Sequence, residues 1–243
     1  MGRIWGGYCM SLAQLRLKLQ PQNFWRREDF SVSPANAEAV RAIDSWPDWT
    51  SAAVPGVLAV VGLSGSGKTH LGQIWAHRAQ ATVWCATDPT TQIDLATLPE
   101  GPLFVDDAEG ALEDEVLFHL ITRAGAKGGD LLLTATRLPA AWEVRLPDLK
   151  SRLNAMAVVE LPLPDDVILI SALRSLFRER NIKASDDLLA YLVRRIGRSI
   201  PEARQIVEKL DAASLPDQKP VTRSLARQIL DGEPETEPLF RDL

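Results

Sequence analysis

Cysteine is nearly absent. Cys9 and Cys85 are the only two in 243 residues. That is too few for a disulfide framework or a metal cluster, and it suits a reducing cytoplasm. A basic excess is missing as well. The net charge is −5, which argues against a broad nucleic-acid surface. No apolar run reaches the roughly 18 residues of a membrane-spanning helix. The opening MGRIWGGYC lacks the long apolar core of a signal peptide, so Met10 offers a natural start with the preceding residues as an upstream extension. Seven tryptophans are present, but they form no spaced ladder for base stacking, and Trp25 reads as a hydrophobic anchor. What is plentiful is apolar content, 46% of the chain, enough for one large domain or two modest ones.

Between Gly56 and Thr136 this apolar content is ordered as strand, helix, strand, strand, helix, strand. GVLAVVG is a continuous apolar run closed by glycine, which suits a buried parallel strand. THLGQIWAHRAQA reads as a helix, ATVWCAT and PLFVDD as strands, Leu112 to Ala126 as a helix, and LLLTAT as the next strand. Such alternation predicts an open parallel sheet covered by helices on both faces, with its ligand site at the carboxyl ends of the strands. The texture changes after AVVELPLP. From Asp165 onward only helices are expected, over DDVILISALRSLFRER, DDLLAYLVRRIG, IPEARQIVEKLDAA and a shorter stretch after Thr222. Ser199 and Glu202 have capping-box spacing, so the third of these should begin near Ile200. The domain boundary falls near Pro162 to Asp165. The organisation expected is thus a flexible segment over 1–22, an α/β domain over 23–163, a helical domain over 164–231, and an acidic, Pro-rich tail over 232–243.

The most specific chemical signal is GLSGSGKT, Gly62 to Thr69, which fits G-x-x-x-x-G-K-[ST] between a buried strand and a helix. Gly62, Ser64, Gly65, Ser66 and Gly67 let the backbone wrap a phosphate chain, and the following helix turns its positive end toward the anion. Lys68 would reach the phosphates. The Thr69 hydroxyl would ligate magnesium. Asp106 and Asp107 end the strand LFVDD, where an acid holds that magnesium and its neighbour orients an attacking water.

Taken together, the P-loop, VDD, LLLTATRLP, LPDLKSRLNAM and the small helical domain resemble the AAA+ ATPases of the DnaA clade, from about Asn23 to Leu215. The resemblance implies an adenine nucleotide, ADP or ATP, with Mg2+. It places Phe30, Val32, Ser33 and Asn36 near the base. His70, with no acid–nucleophile partner in the sequence, is at most a backbone donor to the ligand. Arg152 in LKSRL matches the family's arginine finger, which acts in trans on a neighbouring subunit's nucleotide. Two positions depart from the pattern. Thr136 replaces the sensor-1 acid, and Pro201 stands at the sensor-2 arginine, with Arg198 and Arg204 three residues either side. The loss of that arginine fits a protein that rests with ADP bound.

Within the clade, the initiators carry a helix-turn-helix domain and an N-terminal oligomerisation domain, and neither is expected in this sequence. AQLRLKLQ instead stands where Hda-type regulators carry a clamp-binding peptide. Leu15, Leu17 and Leu19 alternate with Arg16 and Lys18 behind Gln14, an amphipathic extended pattern. The segment is either an edge strand of the chain's own sheet or a peptide whose partner strand belongs to another protein. The resemblance favours the second, with the sliding clamp and DnaA as partners, DNA reached only through the clamp, no membrane, and a homodimer formed with nucleotide. The reading from sequence is a regulator that stimulates DnaA to hydrolyse ATP. An autonomous AAA+ ATPase, a helicase loader or remodeller, is the alternative.

Overall fold

Five consecutive buried side chains make up Val57–Val61 (β1). Alternate residues of a strand point to opposite faces, so VLAVV needs cover on both. A computed structural model provides it, describing residues 27–49, 53–85, 93, 95, 100–124, 129–214 and 220–232. β1 joins Thr82–Cys85 (β2), Leu103–Asp106 (β3), Leu131–Ala135 (β4) and Ala157–Glu160 (β5) in one parallel sheet, ordered β2-β3-β4-β1-β5. Val57 lies opposite Leu131, and Leu58 opposite Ala157. The stretch AVVELPLP, to which the sequence reading gave no element, therefore begins with an edge strand.

The period-2 pattern sorts the core into two layers. Val57, Ala59, Val61 and Leu133 pack with Leu117 and Ile121 of α3 (Asp114–Arg123) and with Leu149 and Leu153 of α4 (Pro147–Ala155). Leu58, Val60, Leu132 and Phe104 face the other way, against Val40 and Ile43 of α1 (Ala37–Asp44) and Leu71 and Trp75 of α2 (Lys68–Ala79). A slip of one residue would exchange the two sets. Tryptophan serves this second layer as packing. Trp49 stacks on Trp75 at 5.2 Å between ring centroids, and Trp46 meets Trp75 edge-on at 6.1 Å. α2 comes close to the sheet because position 72 is glycine; a Cβ there would lie 2.1 Å from the Phe104 ring.

Beyond β5 the chain turns all-helical. Asp166–Glu179 (α5), Asp186–Arg195 (α6), Ile200–Ser214 (α7) and Arg223–Asp231 (α8) enclose a core of their own that includes Leu173, Phe177, Leu192, Val207 and Leu210. Three side chains cap these helices by accepting a backbone N–H three residues on: Asp165, Ser185 and Thr222. At α7 the expected capping box closes differently. Ser199 Oγ accepts from the Glu202 N–H at 3.4 Å, but the Glu202 carboxylate takes the Gly197 N–H at 2.8 Å instead of that of Ser199. The Ser199 amide is already bonded to the Gly197 carbonyl. No described helix is long and apolar enough to cross a membrane.

Candidate nucleotide site

β1 runs straight into the loop Gly62–Gly67, and α2 begins at Lys68. Gly62 donates its N–H to the Ala135 carbonyl at 3.1 Å, tying the start of the loop to the end of β4. A Cβ on Gly62 would stand 2.2 Å from the Leu161 carbonyl oxygen, so no larger residue fits. Gly65 and Gly67 sit at φ +83° and +103°, a region that favours glycine. The result is a loop curled over the N-terminal, positive end of a twelve-residue helix.

Two observations show that the loop suits an anion. The Ser66 hydroxyl is buried without a hydrogen-bond partner, and a buried polar atom of that kind is costly unless a ligand completes it. Lys68 is only 7% exposed, and its Nζ donates to the carbonyls of Gly62 at 2.8 Å and Leu63 at 3.2 Å. Burial lowers its pKa, against the pull of the Asp107 and Asp106 charges. A desolvated ammonium resting on dipoles gains by meeting phosphate oxygens.

The acids stand beside it. Buried Asp106 closes β3, and its Oδ1 accepts from Thr69 Oγ1 at 3.1 Å and from Thr134 Oγ1 at 2.5 Å. The same Thr134 hydroxyl accepts the Asp107 N–H at 2.9 Å. One fully buried side chain thus fixes both acids. Asp107 adopts φ +54°, a left-handed conformation that aspartate and asparagine enter more readily than other non-glycine residues. Burial raises the Asp107 carboxyl pKa, the Asp106 charge adds to this, and Lys68 opposes it. Thr69 and Asp106 offer two hard oxygens to a magnesium ion. Among the described residues no group of three or more His, Cys, Asp or Glu could hold a metal. The pair fits a cation that takes one or two protein ligands and fills its shell from phosphates and water.

The lid and the fold can be matched to known proteins. Residues 166–230 match the model of the Hda lid domain. Domain III of the Thermotoga maritima replication initiation protein DnaA superposes with a TM-score of 0.69 at 19% identity, over 86% of this chain and 97% of that one. AMPPCP-bound DnaA from Aquifex aeolicus gives 0.59 at 17% identity, over 81% and 68%. The chain has a DnaA-like AAA+ fold with an Hda-type lid. An uncharacterized protein of Haemophilus influenzae is 28% identical over 182 residues, 70% of this chain and 79% of its own length.

In this AAA+ fold a cavity of about 550 Å³ opens at the carboxyl ends of β1, β3 and β4, lined by Ser64, Lys68, Asp107 and Thr136 of the sequence-predicted set. Glu109 and Arg137 line it too, and the sequence reading had named neither. Glu109 accepts from Arg137 twice, from the side-chain Nε and from the backbone N–H at 2.9 Å. Burial alone would raise the Glu109 carboxyl pKa, but these bonds outweigh it and hold the value below the ordinary one.

The remaining predicted residues lie around this centre. Phe30 meets the His70 ring edge-on at 5.3 Å, and Val32 is 47% exposed. Ser33 is buried; its N–H goes to Asn36 Oδ1 at 2.9 Å, and its side chain bonds the Asp165 carboxylate that caps α5. The segment expected near the base therefore also ties the sheet domain to the Hda-type lid. In that lid Arg198 pairs with Asp166 at 3.1 Å, and Arg204 is exposed near Glu179. The lid reaches the P-loop through main chain, the Ile200 N–H donating to the Gly65 carbonyl at 3.3 Å. Arg152, on α4, lies with its guanidinium 5.0 Å over the Phe118 ring of α3, away from the cavity lining. Gln14, Leu15, Leu17, Leu19 and Trp25 lie outside the described residues.

Proposed function

We propose that this chain is an adenine-nucleotide-binding regulator of replication initiation. It binds ADP with Mg2+, docks on the sliding clamp through Gln14, Leu15, Leu17 and Leu19, and supplies Arg152 to the nucleotide site of DnaA, so stimulating ATP hydrolysis there. The observation that carries this reading is the pairing of an assembled P-loop site with an Hda-type lid, while Arg152 stands apart from its own chain's cavity. A guanidinium outside its own site, on the surface helix α4, is available to another subunit's phosphates. Such fingers are worth about 10³- to 10⁵-fold in rate.

In the nucleotide site each residue has a separate task. The loop amides and the start of α2 bind the phosphates, and Ser66 Oγ completes its hydrogen bonding on one of their oxygens. Lys68 leaves the Gly62 and Leu63 carbonyls to neutralise phosphate charge. Thr69 and Asp106 would hold the magnesium, which when bound would draw charge from the phosphate oxygens. Asp107 would orient a water on the phosphate side of the cavity. Ser33, Asn36 and Val32 border the base. Thr136 can donate a hydrogen bond but cannot carry charge, which suits a site that holds product ADP more readily than it turns over ATP.

The experiment is reconstitution. DnaA loaded with labelled ATP is mixed with clamp on DNA and with this chain, and hydrolysis is followed. Stimulation that needs both clamp and chain supports the reading, and it should disappear with Gln14→Ala/Leu17→Ala. Rapid hydrolysis by the isolated chain, unaffected by either partner, would instead favour the autonomous ATPase, for which the joined Thr69–Asp106–Thr134 set is the supporting observation.

A further inference from the structure

The helix that carries Arg152 has a narrow footing. α4 buries only Leu149 and Leu153, and a short helix anchored by two side chains can roll about its axis. Contacts on both flanks oppose that roll. On one flank α3 presents Asp114 and Phe118, four residues apart and so on one face. Asp114 Oδ2 accepts the Arg145 N–H at 2.6 Å and the N–H of Leu146, the N-cap of α4, at 3.2 Å. Phe118 lies under the Arg152 guanidinium. On the other flank half-buried Lys150 reaches back over the incoming loop, its Nζ donating to the carbonyls of Ala140 at 2.7 Å and Trp142 at 3.1 Å. Lys150 and Arg152 leave the helix about 200° apart, on nearly opposite sides. The loop that Lys150 grips is itself fixed, because buried Trp142 donates its Nε1 to the Arg137 carbonyl at 3.1 Å. Outside, the loop bends round an open cavity of about 520 Å³ lined by residues 141–145 and Lys150, so hydrogen bonds rather than packing join loop to helix there.

We propose that Lys150 is the positioning residue of Arg152: it locks α4 against rolling, so that the guanidinium meets a partner's phosphates in one orientation. The inference rests on the reading that Arg152 acts in trans. Lys150 itself touches no nucleotide, since it lies outside this chain's own nucleotide cavity and spends its hydrogen bonds on main chain. Those two carbonyls stand at the end of the short 3-10 turn Pro139–Ala141, where main-chain oxygens have no partner within the turn. An ammonium with three donors satisfies both at once. The geometry is sensitive. A side-chain head about 6 Å from a helix axis moves about 1 Å for a roll of about 10°, and a misplacement of that size can cost about 10²-fold in rate.

The test is to titrate the full chain into DnaA loaded with ATP, with clamp on DNA held constant, for the parent, Lys150→Met, Lys150→Arg, Asp114→Ala and Arg152→Ala. Lys150→Met keeps the stem and loses the charge. It should lower the maximal stimulated rate at least about tenfold and leave the half-saturating concentration within about threefold, because the docking residues 14–19 are untouched. Lys150→Arg can still donate to two carbonyls and should regain most of the maximum. Asp114→Ala frees the start of α4 from the other flank and should show the same fall in maximum, which keeps the test intact if one variant folds poorly. Calorimetry with ADP checks the fold, and affinities within about twofold of the parent are expected. A parental maximum for Lys150→Met, or a loss confined to half-saturation, overturns the inference, as does Lys150→Arg falling as low as Lys150→Met. If Arg152→Ala stimulates like the parent, the trans reading falls and takes this inference with it.

Discussion

Replacing Thr134 by valine removes one hydroxyl and keeps the shape of the side chain. That hydroxyl is fully buried, donates to Asp106 at 2.5 Å and accepts from the Asp107 N–H at 2.9 Å. A hydrogen bond to a charged group is worth roughly 1.5–3 kcal/mol, and an orphaned backbone N–H costs about another 1. The added methyl returns roughly 1 kcal/mol through burial. The expected net loss is about 1.5–3 kcal/mol, and a domain of this size loses about 2–4 °C of Tm per kcal/mol. Thr134→Val should therefore melt roughly 3–12 °C below the parent. It should also bind Mg2+-nucleotide more weakly, because Asp106 loses a donor that sets its rotamer. Calorimetry of unfolding and titration with Mg2+-ADP measure the two effects. Thr134→Ser is the companion variant: it keeps both hydrogen bonds and loses only a methyl, about 1 kcal/mol. The reasoning fails if Thr134→Val melts and binds like the parent, or if serine does as much damage as valine.

Arg152→Ala should leave the fold and ADP binding of this chain unchanged and abolish most of the stimulation of DnaA-bound ATP hydrolysis; a fully stimulating variant would place the finger elsewhere. Gly72→Ala sets a gain of about 1 kcal/mol in helix propensity against a Cβ placed 2.1 Å from the buried Phe104 ring, and overpacking costs about 1–3 kcal/mol. A lower Tm is expected, and a higher one would show that α2 can back away from the sheet. Burial alone would raise the Asp165 carboxyl pKa, but hydrogen bonds from Ser33, Ile168 and Val167 and the charge of Arg198 hold it below the ordinary value. Its contribution to stability is then complete above the ordinary carboxylate pKa of about 3.9 and lost as pH falls through the lowered value. The Tm gap between the parent and Asp165→Asn should stay constant from pH 8 to 5 and close below about 4; a gap that changes between pH 8 and 6 would contradict this.

The sheet, the P-loop and the helical domain were legible because each rests on a local pattern. VLAVV and PLFVDD announce buried strands, GLSGSGKT needs only its own eight residues, and the last helix follows Thr222 as its spacing suggests. What escaped depends on contacts distant in sequence. Thr134 looks like an ordinary β-former in LLLTAT, and only the register of β3 against β4 brings its hydroxyl to Asp106. Glu109 and Arg137 meet because the two strand ends lie side by side; Arg137 sits within LLLTATRLP, but nothing local points to Glu109 as its partner. β5 escaped because AVVE is short and half exposed, so its apolar signal is weak. The Glu202 side chain took Gly197 for a related reason: capping-box spacing does not say which amide is already bonded.

The position of β1 in the sheet has a consequence during synthesis. Val57 waits for Leu131, and Leu58 for Ala157, before either edge of the strand is paired. At a ribosomal pace of about 5–20 residues per second, the strand that precedes the P-loop stays without neighbours for several seconds. Throughout that interval VLAVV is an apolar, uncharged ribbon with both edges open, the kind of segment that associates with other nascent chains. The anchoring bond from Gly62 to Ala135 cannot form until β4 has emerged. The loop that follows the strand therefore stays unanchored at its start while only the first half of the chain has emerged.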